Sequence, residues 1–578
     1  MKLPSTYDKH PVINVTSSSK DCAVGWPDVL ERLRSVTRWP VCVECYPGVF
    51  VDEIQQAVTG VLGPSRVFRA SECMKSSEEV EAMIAPYLGD DPVFGRMNGL
   101  EVADFFDPIK LGATRERIRK SEGRAIVIGT GASLLAPETG ALIYADMARW
   151  EIQTRQRNKE IGNLGAENQA DRASLKYKRA FFVDWRAADR LKIRLLSKLD
   201  FLLDTNDRRH PKLISGDLFR RSLEATVSRP FRVTPFFDPG PWGGEWMRRT
   251  FDLPEDAPNY AWCFDCVPEE NSLRLGFGDV QLEIPAIDLV FSYPRELLGE
   301  AVHGRFGTEF PIRFDMLDTM GGGHLSLQVH PLTEYIQDRF GMHYTQDESY
   351  YLLDAGEGAV VYLGLKEDVN PAEMLRALER AEHGGAPFPA ERFVNRWPVK
   401  KHDHLLIPAG TVHCSGKDSM VLEISATPYI FTFKLWDWGR LGLDGAPRPI
   451  HLQHGRENIQ WYRKTEWVRR NLVNRKERVA SAEAWCEERT GLHEREFIET
   501  RRHWFTGTVE HDTRGGLNVL NLVEGSEIIV ESPADAFEPF IVHYAETFIV
   551  PAAVGRYNIR PTQPGQCATI KAFVRTNP

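Results

Sequence analysis

Residues 324–331 read HLSLQVHP, and the interpretation of the chain turns on this stretch. Apolar and polar residues alternate through it, the period of a half-buried strand. Gln328 and His330 are two apart, so a strand would send both side chains to one face. Residues 344–355 read YTQDESYYLLDA, placing Glu348 at the head of a second apolar run, and residues 405–413 read LLIPAGTVH, a strand and a Pro-Gly turn leading to His413. Each residue alone would pass for an ordinary strand or turn position. Together, two imidazoles, one carboxylate and one amide oxygen form a donor set that a borderline divalent metal accepts. The expectation is that Gln328, His330, Glu348 and His413 hold one metal ion inside a β-barrel.

Working outward, the chain changes character near Pro230. Short strand-like runs follow (NYAWCFDCV, SLRLGFG, VQLEIPA, FPIRFDML), separated by turn residues, as in barrels and sandwiches. A helical segment, PAEMLRALERAE, interrupts the metal-ligand stretches. After Gly507 the strand pattern returns, and IVPAAVGRY echoes IPAGTVH with Arg556 where a ligand His would stand. Before Pro230 the pattern alternates: WPVCVECYPGVFVDEIQQAV reads strand–turn–helix, GRAIVIGTGASLL is a buried strand with a small-residue turn, and RAADRLKIRLLSKLDFLLD has helical spacing. That is an α/β layer with a parallel sheet. The expected organisation is multidomain: an α/β domain over 1–230, a metal-binding all-β barrel with a helical insertion over 231–505, and a metal-free second barrel over 506–578.

Composition narrows the partners. A net charge of −10 over 578 residues argues against nucleic acid as a partner. The opening residues lack the apolar core of a signal peptide, and no apolar run would span a bilayer. Nine cysteines are too few and too scattered for a disulfide framework. These features point to a cytoplasmic protein without membrane association; oligomeric state is left open.

The motifs LSLQVHP, DESYYLLDA with VYLGLKE, IPAGTVH and KLWDWGR, in that order, resemble the class I (cupin-type) mannose-6-phosphate isomerases. The resemblance runs from about residue 235, at FFDPGPWGGEW, to residue 578. It implies a double cupin (paired jelly-roll barrels). It also implies one Zn2+ per chain, held by Gln328, His330, Glu348 and His413, and aldose–ketose isomerisation of mannose 6-phosphate and fructose 6-phosphate or a related sugar. Three positions depart from the family. Gln346 replaces the Lys expected two residues before the ligand Glu, Lys434 replaces an Arg, and TPYIFTF lacks an acidic residue before it. Such changes keep the metal while altering its neighbours. The N-terminal part faintly resembles a degenerate P-loop nucleoside-kinase-like domain, although CYPGVFVDE has one Gly and no Lys where that loop needs several.

Candidate catalytic groups are Lys434, Arg440 in WDWGR, and Glu423 in VLEIS. Only Arg offers a planar fork to an oxyanion, so Arg440 would supply what Lys434 cannot. His324, His343, His402 and His404 are possible proton carriers by type. The Cys42/Cys45 and Cys263/Cys266 pairs read as small buried strand residues. The functional expectation is a zinc-dependent sugar isomerase. The alternative is a metal-containing sugar-binding cupin without turnover, a sensor or interaction module.

Overall fold

A computed structural model describes residues 5–121, 124–426, 429 and 431–576. It divides into two compact units, one made of 12–226 with 272–293, the other of 1–11, 227–271 and 294–578. The chain is multidomain and mixed α/β.

The α/β unit is built on a seven-stranded sheet. Five of its strands are parallel, in the spatial order Arg66–Arg69, Ala125–Gly129, Val41–Cys45, Ala141–Asp146, Phe201–Asp204. VCVEC and AIVIG are buried at every position, as expected for parallel strands covered on both faces by helices. Strand Val41–Cys45 lies in the middle and the chain winds outward from it in both directions. Cys42 and Cys45, three apart on this strand, point to opposite faces, so they cannot form a ligand pair.

The loop after this strand is where the kinase-like resemblance would place a phosphate. It carries no lysine, and the helix it feeds, Val51–Leu62, has Asp52 and Glu53 in its first turn. Buried Arg155 donates to the carbonyls of Gly48 and Thr205. At the next turn the Gly131 and Ser133 amides donate to the Glu44 carboxylate. The Glu44 carboxylate therefore occupies the amides of the second turn, and the first has acidic residues nearby. The likeness to a phosphate-loop domain is not supported.

The hairpin Ser272–Phe277/Val280–Pro285, expected with the barrel, belongs to the α/β unit. Strand Val12–Asn14 pairs with it in parallel. Glu283 is the fastener: its amide donates to Asp204, its carbonyl accepts from Asn206, and its carboxylate accepts from Trp150.

The other unit contains two antiparallel two-sheet assemblies. In the first, a six-stranded sheet includes Glu348–Ala355, Ser419–Ser425, Arg313–Asp318 and His404–Ile407, while a five-stranded sheet includes Leu327–Val329, His413–Ser415, Val360–Leu365 and Phe433–Trp436. In the second, six strands from Glu477–Ala482 to Cys567–Val574 face four others across a core of Phe505, Leu520, Leu522, Ile528, Val530, Tyr557 and Ile559. The division expected at 505 thus falls earlier: Glu477–Ala482, Trp485–Gly491 and Ile498–Phe505 pair into the second assembly. Helix Pro371–Glu382, capped by Asn370 with Pro at its first turn, forms where the helical insertion was read. No described helix is long and apolar enough to cross a membrane.

Within the α/β unit the Lys192 ammonium lies 2.7 Å from Asp146 and 2.5 Å from Asp288, all three at most 1% exposed. Removing one partner of such a set strands buried charge, at a cost of about 3–5 kcal/mol. The Asp288 carboxyl is already raised by burial, despite Lys192. Without Lys192 the Asp288 carboxyl rises further, and a group whose folded pKa is raised loses stability as pH climbs. Lys192→Met should therefore destabilise this unit by about 3–5 kcal/mol at pH 8 and by less at pH 5, as read by urea denaturation. An equal loss at both pH values would refute the assignment.

Candidate metal centre

The site is assembled by register. Gln328 pairs directly with His413 on one side and with Lys434 on the other, and opposite residues of an antiparallel pair share a face. A row Lys434–Gln328–His413 therefore runs across the five-stranded sheet. His330 follows one pleat beyond Gln328. From the facing sheet, Glu348 begins its strand opposite Ser425. Ligand atoms of His330, Glu348 and His413 all lie within 4.8 Å of one another. Gln328 lies beside them, its amide nitrogen 3.3 Å from His413 Nε2; turning the amide end for end presents its oxygen to the same point. All four residues are buried, none more than 6% exposed.

The hydrogen bonds behind these side chains decide what can sit between them. His330 Nδ1 is 2.8 Å from the Phe431 carbonyl, and His413 Nδ1 is 2.9 Å from the Thr411 carbonyl. A carbonyl only accepts, so each Nδ1 carries the hydrogen and each Nε2 presents a lone pair. Those lone pairs face the Glu348 carboxylate at 3.1 and 2.9 Å. His330 Nε2 and Glu348 Oε1 are buried without a hydrogen-bond partner of adequate geometry. Electron-rich atoms this close repel unless positive charge lies between them. The same demand appears as titration. Burial opposes a charged His330, but Glu348 outweighs it and raises the imidazole. Burial likewise opposes the Glu348 anion, yet His330 and His413 hold its carboxyl well below the usual range. A divalent cation satisfies all the lone pairs at once, and the donor set suits it.

Around this centre, Gln346 occupies the position where the family resemblance leads one to expect lysine. Its Nε2 donates to Glu348 Oε2 at 2.7 Å and lies 3.4 Å from Glu423 Oε1. It orients the ligand carboxylate from behind, the role that outer partners play in metal sites. Glu423 is the cross-strand neighbour of both Tyr350 and Asp315. Burial first, then Glu348 and Asp315, push its carboxyl well above the ordinary range. Asp315 is paired with Arg313 at 2.8 Å. Sequence reading missed this Arg313–Asp315 pair, which only strand register brings to the site.

Arg440 does not face the ligands alone. It donates to the His324 carbonyl and to Asp437. Asp437 also accepts from Arg448 at 2.6 Å and from Ser326 at 3.0 Å. Lys434 titrates with this cluster: burial, then Arg448, lower its ammonium to about 8. Two guanidiniums thus share one carboxylate beside the Lys434–Gln328–His413 row, and Lys434 lies within their field. Arg448 was missed as well; it lies in a loop with no motif to mark it.

Of the other histidines, His324 lies against Trp438 and Tyr362 beside Arg440. His402 contacts Tyr351, and His404 pairs with Tyr351 across the strands. Tyr351 alternates with Tyr350 and so takes His402 and His404 to the opposite face of the sheet from Glu348. His343 is exposed. Thr427, Pro428 and Ile430, within the TPYIFTF segment, lie outside the described residues.

Comparison with known proteins separates the two parts of the chain. Residues 25–228 match a family model described as a domain of unknown function, DUF8485. The mannose-6-phosphate isomerase of Streptococcus mutans is 28% identical over 214 residues, 37% of this chain and 62% of that protein. The mannose-6-phosphate isomerase ManA of Bacillus subtilis is 25% identical over 240 residues, 40% of this chain and 69% of that protein. The chain therefore spans about three fifths of the length of the first relative. Among solved structures, the mannose 6-phosphate isomerase from Bacillus subtilis aligns with 60% of this chain and 99% of its own, at 19% identity and a TM-score of 0.49.

The geometry separates ligands from their supports. His330→Ala or His413→Ala should reduce bound divalent metal from about one per chain to below about a tenth, measured by elemental analysis after dialysis. Gln346→Ala should keep the metal but weaken it by about 10–100-fold in a chelator competition. Full metal occupancy in His413→Ala would rule out this centre.

Proposed function

We propose that the first two-sheet assembly is a cupin barrel housing a zinc-dependent aldose–ketose isomerase site, acting on mannose 6-phosphate and fructose 6-phosphate or a related sugar phosphate. The observation that carries this reading is the convergence of His330, Glu348 and His413 from two facing sheets, with Gln328 beside them, next to a cluster of three basic side chains. Relatives named mannose-6-phosphate isomerase support the sugar class.

A divalent cation held by Gln328, His330, Glu348 and His413 would draw electron density from a sugar carbonyl and lower the cost of negative charge on its oxygens. The remaining work falls to side chains. Gln346 keeps the Glu348 carboxylate from rotating. Lys434 stands next to Gln328 in the cross-strand row, where it can hold an oxygen of the substrate and exchange a proton. Arg448 is braced through Nη1 alone, by Asp437 and Ser326, and its remaining N–H groups suit a phosphate, while Arg440, donating from Nε, Nη1 and Nη2 to Asp437 and the His324 carbonyl, adds positive charge behind it. Glu423, held neutral by its buried setting, can donate a hydrogen bond where an ionised carboxylate could not. Isomerisation moves one proton from C2 of the aldose to C1 of the ketose, so one of these groups must accept it and return it.

The substitution of Gln346 for lysine favours a second reading, a metal-containing sugar binder without turnover whose α/β unit acts as output. Proton exchange separates the two. Metal-loaded protein incubated with mannose 6-phosphate or fructose 6-phosphate in deuterated water should introduce deuterium at C2, seen by proton NMR. Binding without exchange across a panel of sugars and their phosphates would leave only the second reading.

Charge removal tests the proposed roles. Arg448→Met should raise KM for the phosphorylated sugar by about 10–100-fold, corresponding to a charge-assisted contact of about 1.5–3 kcal/mol, with little change for the free sugar. Lys434→Met should lower kcat as well. Equal effects of Arg448→Met on both sugars would remove it from the phosphate role.

A further inference from the structure

The second two-sheet assembly carries a polar cluster that the proposed isomerase does not use. At one end of its core, three nitrogen-bearing side chains point inward. Lys571 pairs across the strands with Arg501 and with Leu520, a core residue. His503 pairs with Thr569, which pairs in turn with Leu522 of the core. From the opposite sheet, His511 pairs with Tyr557, also of the core, and stacks on its ring at 5.0 Å. Shared faces put all three between the sheets. His503, His511 and Lys571 are 3%, 6% and 8% exposed, and the two imidazoles approach to 4.6 Å between centroids.

Their hydrogen bonding is incomplete. His503 Nε2 faces Glu487 at 3.3 Å, but His503 Nδ1 and His511 Nε2 are buried without partners. The two nearby carboxylates are committed elsewhere: Arg501 takes Glu487 at 3.0 Å and Glu499 at 2.6 Å. Lys571 forms no ion pair among the described residues. Exposed Arg514 adds positive charge near it. Burial, and then Arg501 and Arg514 against a partial offset from Glu487, bring the Lys571 ammonium down to about 8. Burial, Lys571 and His503 push the His511 imidazole well below its ordinary value. The ammonium and the two half-satisfied imidazoles face only carboxylates, Glu487 and Glu499, that Arg501 already engages. Among the described residues the only grouping of three or more His, Cys, Asp or Glu with metal-ligand geometry is the one in the first assembly.

We propose that this end of the second assembly binds a small oxyanion, a phosphate or phosphate monoester, between Lys571, His503 and His511. Lys571 contributes the charge and His511 donates from Nε2. His503 keeps its hydrogen on Nε2 toward Glu487 and accepts at Nδ1, either from the hydroxyl of a monoprotonated phosphate or from a hydroxyl of a sugar ester. None of these residues belongs to the metal centre, so the site stands or falls separately from the isomerase reading.

Calorimetric titration of the full chain with inorganic phosphate tests this. The background is Lys434→Met/Arg448→Met, which removes the anion-holding cluster of the first assembly. One phosphate site should remain, and adding Lys571→Met should weaken it by at least tenfold. His511→Gln, which keeps a polar side chain there, should weaken it by a smaller factor and serves if Lys571→Met fails to fold. Mannose 6-phosphate in place of phosphate should compete for the same site, and mannose should not. Absence of a phosphate site in the background protein, or an unchanged Kd in both Lys571→Met and His511→Gln, would overturn the proposal.

Discussion

Two backbone carbonyls govern the chemistry of this protein. Those of Phe431 and Thr411 each take the Nδ1 hydrogen of a buried histidine, and so turn a lone pair inward on Glu348. Everything around that point answers the resulting excess of electron density. Gln346 braces the carboxylate, burial and its acidic neighbours raise the Glu423 carboxyl, and Asp315 is paired with Arg313. A buried arrangement of this kind is costly unless a cation completes it. The site therefore reads as a preformed receptor for positive charge rather than as a structural salt-bridge network.

The second consequence is spatial. Because Gln328 is shared by two neighbouring strands, the same pleat that aims it at His413 also lines up Lys434. The candidate metal centre and Lys434 are thus adjacent by sheet geometry. Sites on rigid strands hold their spacing better than sites on loops. The basic cluster, in contrast, includes Arg448 from a loop, restrained by Asp437 and Ser326.

The four proposed ligand positions could be picked out in the sequence because each sits in a short, strongly patterned strand or turn, and strand period alone predicts which side chains share a face. The parallel sheet was legible for a similar reason: VCVEC and AIVIG are continuous apolar runs. Register was not legible. Nothing in Arg313, Asp315 or Arg448 as isolated letters says which strand they will lie against. The function of Gln346 was hidden because a substitution shows what was lost and not what the new amide reaches. ERVASA and WCEERTG, half-exposed and rich in charge, carry no strand signal until their partners are known, which is why the second assembly was placed too late in the chain. The strand Val12–Asn14, pairing with residues some 260 positions away, was beyond any local reading.

The hairpin at 272–293 has an architectural meaning for the chain as a polymer. The backbone passes between the two units four times, near residues 11, 226, 271 and 293. Neither unit is a contiguous stretch, so no single cut releases either one whole. A fragment ending near 230 would carry a seven-stranded sheet without the Glu283 fastener and leave Val12–Asn14 with an unpaired edge. Ribosomal synthesis imposes the same order: the α/β unit stays incomplete until the chain has passed residue 293. Two bodies threaded in this way cannot be parted by one break in the backbone.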